Sequence, residues 1–305
     1  MYGNELRPDN FSGIVGQQEA IEVMKIAISS SIKRNDAIPH TLFEAGPGLG
    51  KTTFAMAIAK ERGVPVQILN AANTRQQVLI DVLMNVRKHE VIFIDEIHRM
   101  TDKMEEILYP VMEDFRLDIA TKEYQSVSLP RFTLIGATTN SGDISRPMYD
   151  RFEYKVQLTN YNINELSQIL AKGAESLGVD ITQDALYNIA RRGRGTPRVV
   201  NSLLKRCRDY AYATSSRSIN GIVVDKVMEL AGIDDWGLTR QDRKYLNKLK
   251  EIHGTTGRAV ALRTLTAATG IDEGIVTEVI EPYLIQLGVL IKTARGRLLS
   301  DIIKL

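Results

Sequence analysis

Apolar residues recur along the chain with two different periods. Over Ile21–Ile32 they fall at Ile21, Met24, Ile28 and Ile32, close to the spacing of a helix with one buried face. Thr41–Phe43 runs apolar into AGPGLGKTT (Ala45–Thr53), and a helical stretch follows to about Arg62. Val91–Ile94 and Phe132–Ile135 are short runs of β-branched and aromatic residues. Neither shows polar alternation, which is the pattern of strands buried on both faces. Such strands separated by helical segments predict an α/β fold, a parallel sheet covered by helices on both sides.

From about Tyr161 the pattern is purely helical. Leu166, Ile169, Leu170, Ala174 and Leu177 share one face and Gly178 stops the run. Val200, Leu203, Leu204, Cys207 and Ala211 line a second helix, with Thr196 as its expected cap and Pro197 at the first helical position. Asp234-Asp235-Trp236-Gly237 reads as a linker. The tail alternates helices with one hairpin, Val289–Leu299, expected to turn at Arg295-Gly296.

A length of 305 residues fits two domains or three small ones. With 44% apolar and 25% charged residues the composition is that of a globular protein. No stretch approaches the roughly 18 uncharged apolar residues of a membrane span, and MYGNELRPDN lacks the apolar core of a secretory signal. One cysteine, Cys207, cannot form an internal disulfide. These features predict a cytoplasmic protein with no membrane partner. The net charge of +2 divides unevenly: residues 1–158 hold 18 Lys/Arg against 21 Asp/Glu, whereas residues 159–233 hold 10 against 7 and residues 234–305 hold 11 against 9. A basic excess at the rear is the expected side for a polyanion.

The strongest chemical signal is Gly46-Pro47-Gly48-Leu49-Gly50-Lys51-Thr52, followed by Thr53, between a strand and a helix. Glycines let backbone N–H groups turn inward around phosphates, a lysine reaches the outer phosphates, and a threonine hydroxyl ligates Mg²⁺. Ala45 stands where the full pattern has glycine. Asp95 and Glu96 end the Val91–Ile94 strand, where one carboxylate can hold Mg²⁺, partly through water, and the other can orient the attacking water. His98 has no second histidine at metal-ligand spacing, so a structural role is its default. Thr139 ends the Phe132–Ile135 strand, in place to sense a γ-phosphate. Arg198 falls in the first turn of a helix, where the macrodipole disfavours a cation unless an anion lies in front. Arg191, Arg192 and Arg194 read as a solvated basic face.

Together these stretches resemble the RuvB family of AAA+ motors, which drive branch migration at Holliday junctions. The resemblance runs nearly end to end: LRPDNFSGIVGQ (Leu6–Gln17), DEIHR, EEILYPVMEDFRLDI (Glu105–Ile119), FTLIGATT, RGTPRVVNSLLKRCRD (Arg194–Asp209) and EPYLIQLGVLIKTARGR (Glu281–Arg297). It implies an αβα nucleotide-binding domain over 1–158, a helical lid over 159–233 and a winged helix over 234–305. It implies ATP and Mg²⁺ as ligands, with Leu6, Arg7, Ile14, Val15, Tyr161 and Pro197 around the adenine. Thr139 becomes sensor 1 and Arg198 sensor 2, while Arg151 becomes an arginine finger that reaches a neighbouring subunit's site. Arg295 and Arg297 become wing contacts to DNA. The implied partners are duplex and branched DNA, copies of the chain in a hexameric ring, and a RuvA-like protein.

Four departures stand out. Ala45-Gly46 replaces Gly-Pro, Asn140 and Tyr149 replace arginines, and Ala120–Leu129 is shorter than the hairpin on which the family docks RuvA. In that stub only Tyr124, Val127 and Leu129 are sizeable apolar groups, so weak or absent binding to an ordinary RuvA is expected. A second reading is an AAA+ ATP-switch loader that acts on DNA-bound protein without translocating. A third is a scaffold that has lost hydrolysis, which retention of Glu96, Arg151 and Arg198 argues against.

Overall fold

The computed structural model describes residues 6–120 and 124–300. The chain folds as two compact units, Met1–Gly178 with Gly195–Ser202, and Val179–Arg194 with Leu203–Leu305. The helical stretch expected over 159–233 is thus shared between them.

The first unit is built on a sheet of β1 (Thr41–Glu44), β2 (Val66–Asn70), β3 (Val91–Asp95), β6 (Thr133–Thr138) and β7 (Tyr154–Gln157), in the order β2-β3-β6-β1-β7. Every pairing is parallel. Leu42, Ile92, Ile94 and Leu134 share a core with α3 (Gln76–Met84) and α4 (Asp102–Asp114). Phe43 meets Phe54 of α2 (Lys51–Arg62) at 5.6 Å between ring centroids, and Phe11 caps Phe54 at 6.1 Å. Each fully buried side chain of this size contributes about 1.5–3 kcal/mol, so β3 and β6 tolerate few polar positions. The edge strands β2 and β7 alternate, with Ile68 half in solvent; their mixed sequences, VQILN and YKVQ, carry no buried-strand signal.

α1 (Gln18–Arg34) buries Ile21, Met24 and Ile28 as expected, but Ile32 is exposed and Ala27 and Ser31 complete the buried face. At the start of β1, buried His40 accepts a hydrogen bond from the Leu134 N–H at 2.9 Å, between the rings of Phe115 and Phe132. Burial pulls its pKa down from 6.5 to about 4.

β4 (Arg116–Ala120) and β5 (Tyr124–Ser128) form an antiparallel hairpin. Leu129 is buried in the sheet-side core, and Val127 is half-buried opposite fully buried Leu117. Of the three apolar groups expected to face a partner, Leu129 therefore serves the fold, and the side chain of Tyr124 lies outside the described residues. Lys122 and Glu123 lie outside the described residues.

α5 (Arg146–Asp150) and α6 (Ile163–Ser176) complete this unit, together with the opening residues of α8 (Pro197–Ala213). Asn162 and Glu165 form a capping box at the start of α6. The second unit contains the rest of α8, α7 (Gln183–Arg191), α9 (Gly221–Ala231), α10 (Arg240–Thr256) and α11 (Leu262–Thr269). A short α12 (Glu273–Ile275) runs through Val276–Ile280 into α13 (Glu281–Gln286), ahead of the hairpin β8 (Leu290–Thr293) and β9 (Gly296–Leu299). Tyr245, Leu249, Leu265, Val276 and Leu284 fill the core of this winged helix. Cys207 is buried, which raises its thiol pKa to about 12 and removes its reactivity.

The stretch read as a linker is held in place, and one expectation is corrected. The Asp234–Gly237 stretch is a fixed turn, because Asp234 Oδ1 accepts the N–H groups of Trp236 and Leu238 at 2.9 Å and Tyr283 donates to the Trp236 carbonyl at 2.6 Å. Arg191, Arg192 and Arg194 do not form a solvated basic face. Arg191 and Arg192 both pair with Asp235, while Arg194 pairs with buried Asp242, donates to the Gly237 carbonyl at 2.9 Å and stacks on Tyr283. They clamp the linker turn instead.

Candidate nucleotide-hydrolysis site

Parallel pairing brings the carboxyl ends of β1, β2, β3 and β6 to one edge of the sheet, with Glu44 level with Thr138 and Asn70 level with Asp95. Ligands of open α/β sheets bind at this edge. The loop after β1 turns on two left-handed glycines, Gly48 at φ +81° and Gly50 at φ +104°, conformations strained for any residue with a Cβ. The Ala45 N–H donates to the Thr138 carbonyl at 3.1 Å, which ties the loop to the neighbouring strand tip. α2 opens at Lys51 with no side-chain cap, so its first N–H groups are left for an anion.

Lys51 is buried and its Nζ donates to the carbonyls of Ala45 at 2.9 Å and Gly46 at 3.3 Å. Burial lowers its pKa; the carboxylates of Glu96 and Asp95 oppose that shift and Arg198 adds to it. Burial raises the pKa of Asp95, as does Glu96 beside it, whereas Lys51 and Arg198 pull it down. Lys51, Asp95, Glu96 and Arg198 thus share one electrostatic neighbourhood. Arg198 is exposed and its backbone sits on the loop itself. Its N–H donates to the Gly48 carbonyl at 3.4 Å, and a Cβ added at Gly48 would meet the Arg198 Cβ at 2.9 Å. The cation in the first turn of α8 therefore stands beside the glycine loop.

Glu96 follows Asp95 with a left-handed backbone, φ +50°, and its Oε2 accepts the Thr139 hydroxyl at 2.9 Å. Thr139 is brought to Glu96, a contact that sequence reasoning did not anticipate. Thr52 and Thr53 lie half-buried in the first turn of α2, and Leu49 is buried beneath the loop. Among the described residues no cluster of three or more His, Cys, Asp or Glu could hold a metal. Mg²⁺ in nucleotide sites takes one or two protein ligands beside substrate phosphates, and a Thr52 hydroxyl with an Asp95 carboxylate fits that donor set.

Of the residues expected around adenine, Ile14, Val15 and Tyr161 are buried. A Cβ on the intervening Gly16 would come within 3.3 Å of the Tyr161 ring. The Tyr161 N–H donates to the Gly195 carbonyl at 2.9 Å, two residues before half-buried Pro197. Leu6 is half-buried, and exposed Arg7 points a guanidinium nitrogen at the Met56 sulfur of α2 from 4.0 Å.

Arg151 is not at this loop. It closes α5 with its guanidinium 3.1 Å from Glu113, over the Tyr109 ring at 4.2 Å, and donating to the Pro147 carbonyl at 2.8 Å. Tyr149, two residues earlier, donates to Glu44 at the end of β1 at 3.1 Å. On the wing the turn is Ala294-Arg295, one residue earlier than expected, and Arg295 is exposed. Arg297 is buried in the winged-helix core and paired with Glu281, so it is not an exposed DNA contact. The reason is the backbone: Arg297 and Val260 exchange N–H···O bonds of 2.8 and 2.9 Å, which turns the side chain inward.

A phosphate loop at the tip of β1, an acidic pair on β3, an arginine from a following helix and a winged helix define a P-loop ATPase of the AAA+ class. Three family models match in succession: "Holliday junction DNA helicase RuvB P-loop domain" over residues 6–158, "RuvB AAA lid domain" over 161–234 and "RuvB C-terminal winged helix domain" over 235–302. The chain belongs to the RuvB family. It is 42% identical over 298 residues to a Holliday junction branch migration complex subunit RuvB of Trichormus variabilis, covering 96% of this chain and 81% of that one. A RuvB of Prochlorococcus marinus is 40% identical over 305 residues, with 98% and 85% covered. The solved Thermotoga maritima RuvB, described as a Holliday junction branch migration motor, superposes with a TM-score of 0.87 at 36% identity, covering 98% of this chain and 96% of that one.

Proposed function

We propose that this protein is an ATP-hydrolysing DNA motor that drives branch migration at Holliday junctions. The observation that carries the reading is the meeting of Lys51, Asp95, Glu96 and Arg198 at one glycine loop. Lys51, now bonded to its own loop carbonyls, neutralises the outer phosphates of ATP, and Arg198 adds a second cation from the side of Gly48. Mg²⁺ held by Thr52 and Asp95 would spread the charge of the phosphate oxygens when bound. Glu96 polarises the attacking water. Ile14, Val15 and Tyr161 supply an apolar place for the base.

Arg151 acts as a finger on a neighbouring copy in a ring, hexameric by family analogy, because its contacts in its own chain lie away from the phosphate loop. Arg295 on the wing meets DNA phosphates. The loader reading is not favoured, since the relatives compared are named for branch migration. Turnover of ATP by Glu96→Gln tests the site: the variant binds ATP and hydrolyses it far more slowly, because an amide polarises water poorly. Wild-type turnover in Glu96→Gln contradicts the assignment.

A further inference from the structure

The left-handed turn at Glu96 leads into a single 3-10 turn, Ile97–Arg99, which folds the chain back over the sheet tip. His98 is thereby returned to the side of Glu96, with its side chain only 10% exposed. Its Nδ1 lies 2.9 Å from the Thr138 hydroxyl and 3.5 Å from Glu96 Oε2. The same Oε2 accepts the Thr139 hydroxyl at 2.9 Å. Thr138 is itself fixed, buried in β6 and accepting the Asn140 N–H at 3.0 Å. Two side chains, His98 and Thr139, thus converge on one oxygen of one carboxylate, and Thr138 holds the imidazole from the other side.

We propose that His98 is a positioning residue for hydrolysis. Together with Thr139 it holds Oε2 of Glu96, so that Oε1 is the oxygen presented to the attacking water. The proposal rests on the reading of Glu96 as the water-polarising carboxylate. A glutamate at a solvent-facing strand tip has three rotatable side-chain bonds and samples many arrangements unless neighbours select one. A nitrogen lone pair turned toward a carboxylate oxygen repels it, whereas an N–H attracts it, so Glu96 selects the Nδ1–H tautomer of His98. That nitrogen lies within hydrogen-bond distance of Thr138 Oγ1 and 3.5 Å from Glu96 Oε2, close enough for its charge to act on the carboxylate. The requirement is for a donor at this point in space. Asparagine can supply one from its side-chain amide, while leucine fills the space without a donor.

The test is steady-state ATP turnover of the full-length protein with junction DNA. It compares His98→Asn, His98→Leu, Glu96→Gln and the His98→Leu/Glu96→Gln double variant, with thermal melting of each. His98→Leu should lower kcat on the order of tenfold while KM stays within about twofold, because the lost interaction serves the transition state rather than ATP binding. His98→Asn should recover most of that loss. On the Glu96→Gln background His98→Leu should subtract nothing more from the residual rate, since the carboxylate it positions is gone. Wild-type kcat in His98→Leu overturns the proposal, and so does an equal loss in the asparagine variant or an undiminished loss on the Glu96→Gln background. Should His98→Leu lose its thermal transition, the test passes to His98→Gln, whose longer arm displaces the donor. It should melt like the wild type and still lose kcat, and wild-type kcat there overturns the proposal equally. Normal turnover in Glu96→Gln instead removes the reading of Glu96, an outcome separable from failure at His98.

Discussion

Arg297 and Glu281 form a two-point ion pair inside the winged-helix core, Nε to Oε1 at 2.6 Å and the terminal nitrogen to Oε2 at 3.0 Å. Tyr245 donates to the same Oε1 at 2.7 Å, and burial together with Glu281 raises its phenol pKa. Removing one member of a buried pair strands the other charge, at a cost of about 3–5 kcal/mol. Arg297→Ala should therefore lower the urea midpoint of this domain markedly, and Arg297→Lys should not restore it, because an ammonium cannot span both oxygens. An Arg297→Ala protein as stable as the wild type contradicts this reading.

On the proposed reading, exposed Arg295 at the wing turn meets DNA phosphates. Arg295→Ala should weaken binding alike for all sequences and reduce the salt slope by about one contact. Salt-titrated anisotropy on duplex DNA measures both, and a sequence-dependent loss would indicate base readout instead.

The contrast between these two arginines shows what the sequence could convey. The phosphate loop, the Asp95–Glu96 pair and the strands at β1, β3 and β6 were legible because backbone need and burial dictate residue type there. The edge strands β2 and β7 were not, since half-exposed strands take mixed residues. Arg297 and the Arg191–Arg194 cluster were misread because a buried cation looks like a surface one until its carboxylate partner, distant in sequence, is known. His98 gave no metal or nucleophile signal; only the reversal of the chain at Glu96 brings it to the carboxylate.

His40 predicts an acid-side instability of the nucleotide-binding unit. Its folded pKa of about 4 lies below the ordinary 6.5, so between these values the unfolded chain takes up a proton that the native chain refuses. The contribution is fully present above pH 6.5 and is lost as pH falls toward about 4. At about 1.4 kcal/mol per pH unit it amounts to on the order of 3 kcal/mol. Urea unfolding at stepped pH should show this loss in the wild type and a shallower slope in His40→Gln. Equal slopes contradict it.

Arg151→Ala should bind ATP but lose hydrolysis on the order of 10³–10⁵-fold, the range of arginine fingers elsewhere. Mixed with Lys51→Ala, it should regain partial activity, because some interfaces then pair an intact finger with an intact phosphate loop. No recovery at any ratio, in rings shown to be mixed, contradicts action on a neighbour.

Among the described side chains of the Ala120–Leu129 stub, Leu129 is buried and Val127 half-buried, which leaves little apolar surface there for a partner. Specific interfaces usually need a buried apolar centre. Calorimetric titration with an ordinary bacterial RuvA should show weak or no binding. Sub-micromolar binding that disappears when Tyr124 and Val127 become serine contradicts this.

On this reading ATP hydrolysis at the Lys51–Glu96 site moves a DNA junction. The decisive measurement follows a synthetic four-way junction as it separates into its duplex arms, with wild type and Glu96→Gln side by side. Separation should require ATP, proceed with the wild type and stop in Glu96→Gln although that variant still binds ATP. A junction left intact while the wild type hydrolyses ATP freely on it would mean that hydrolysis at this site does not move DNA.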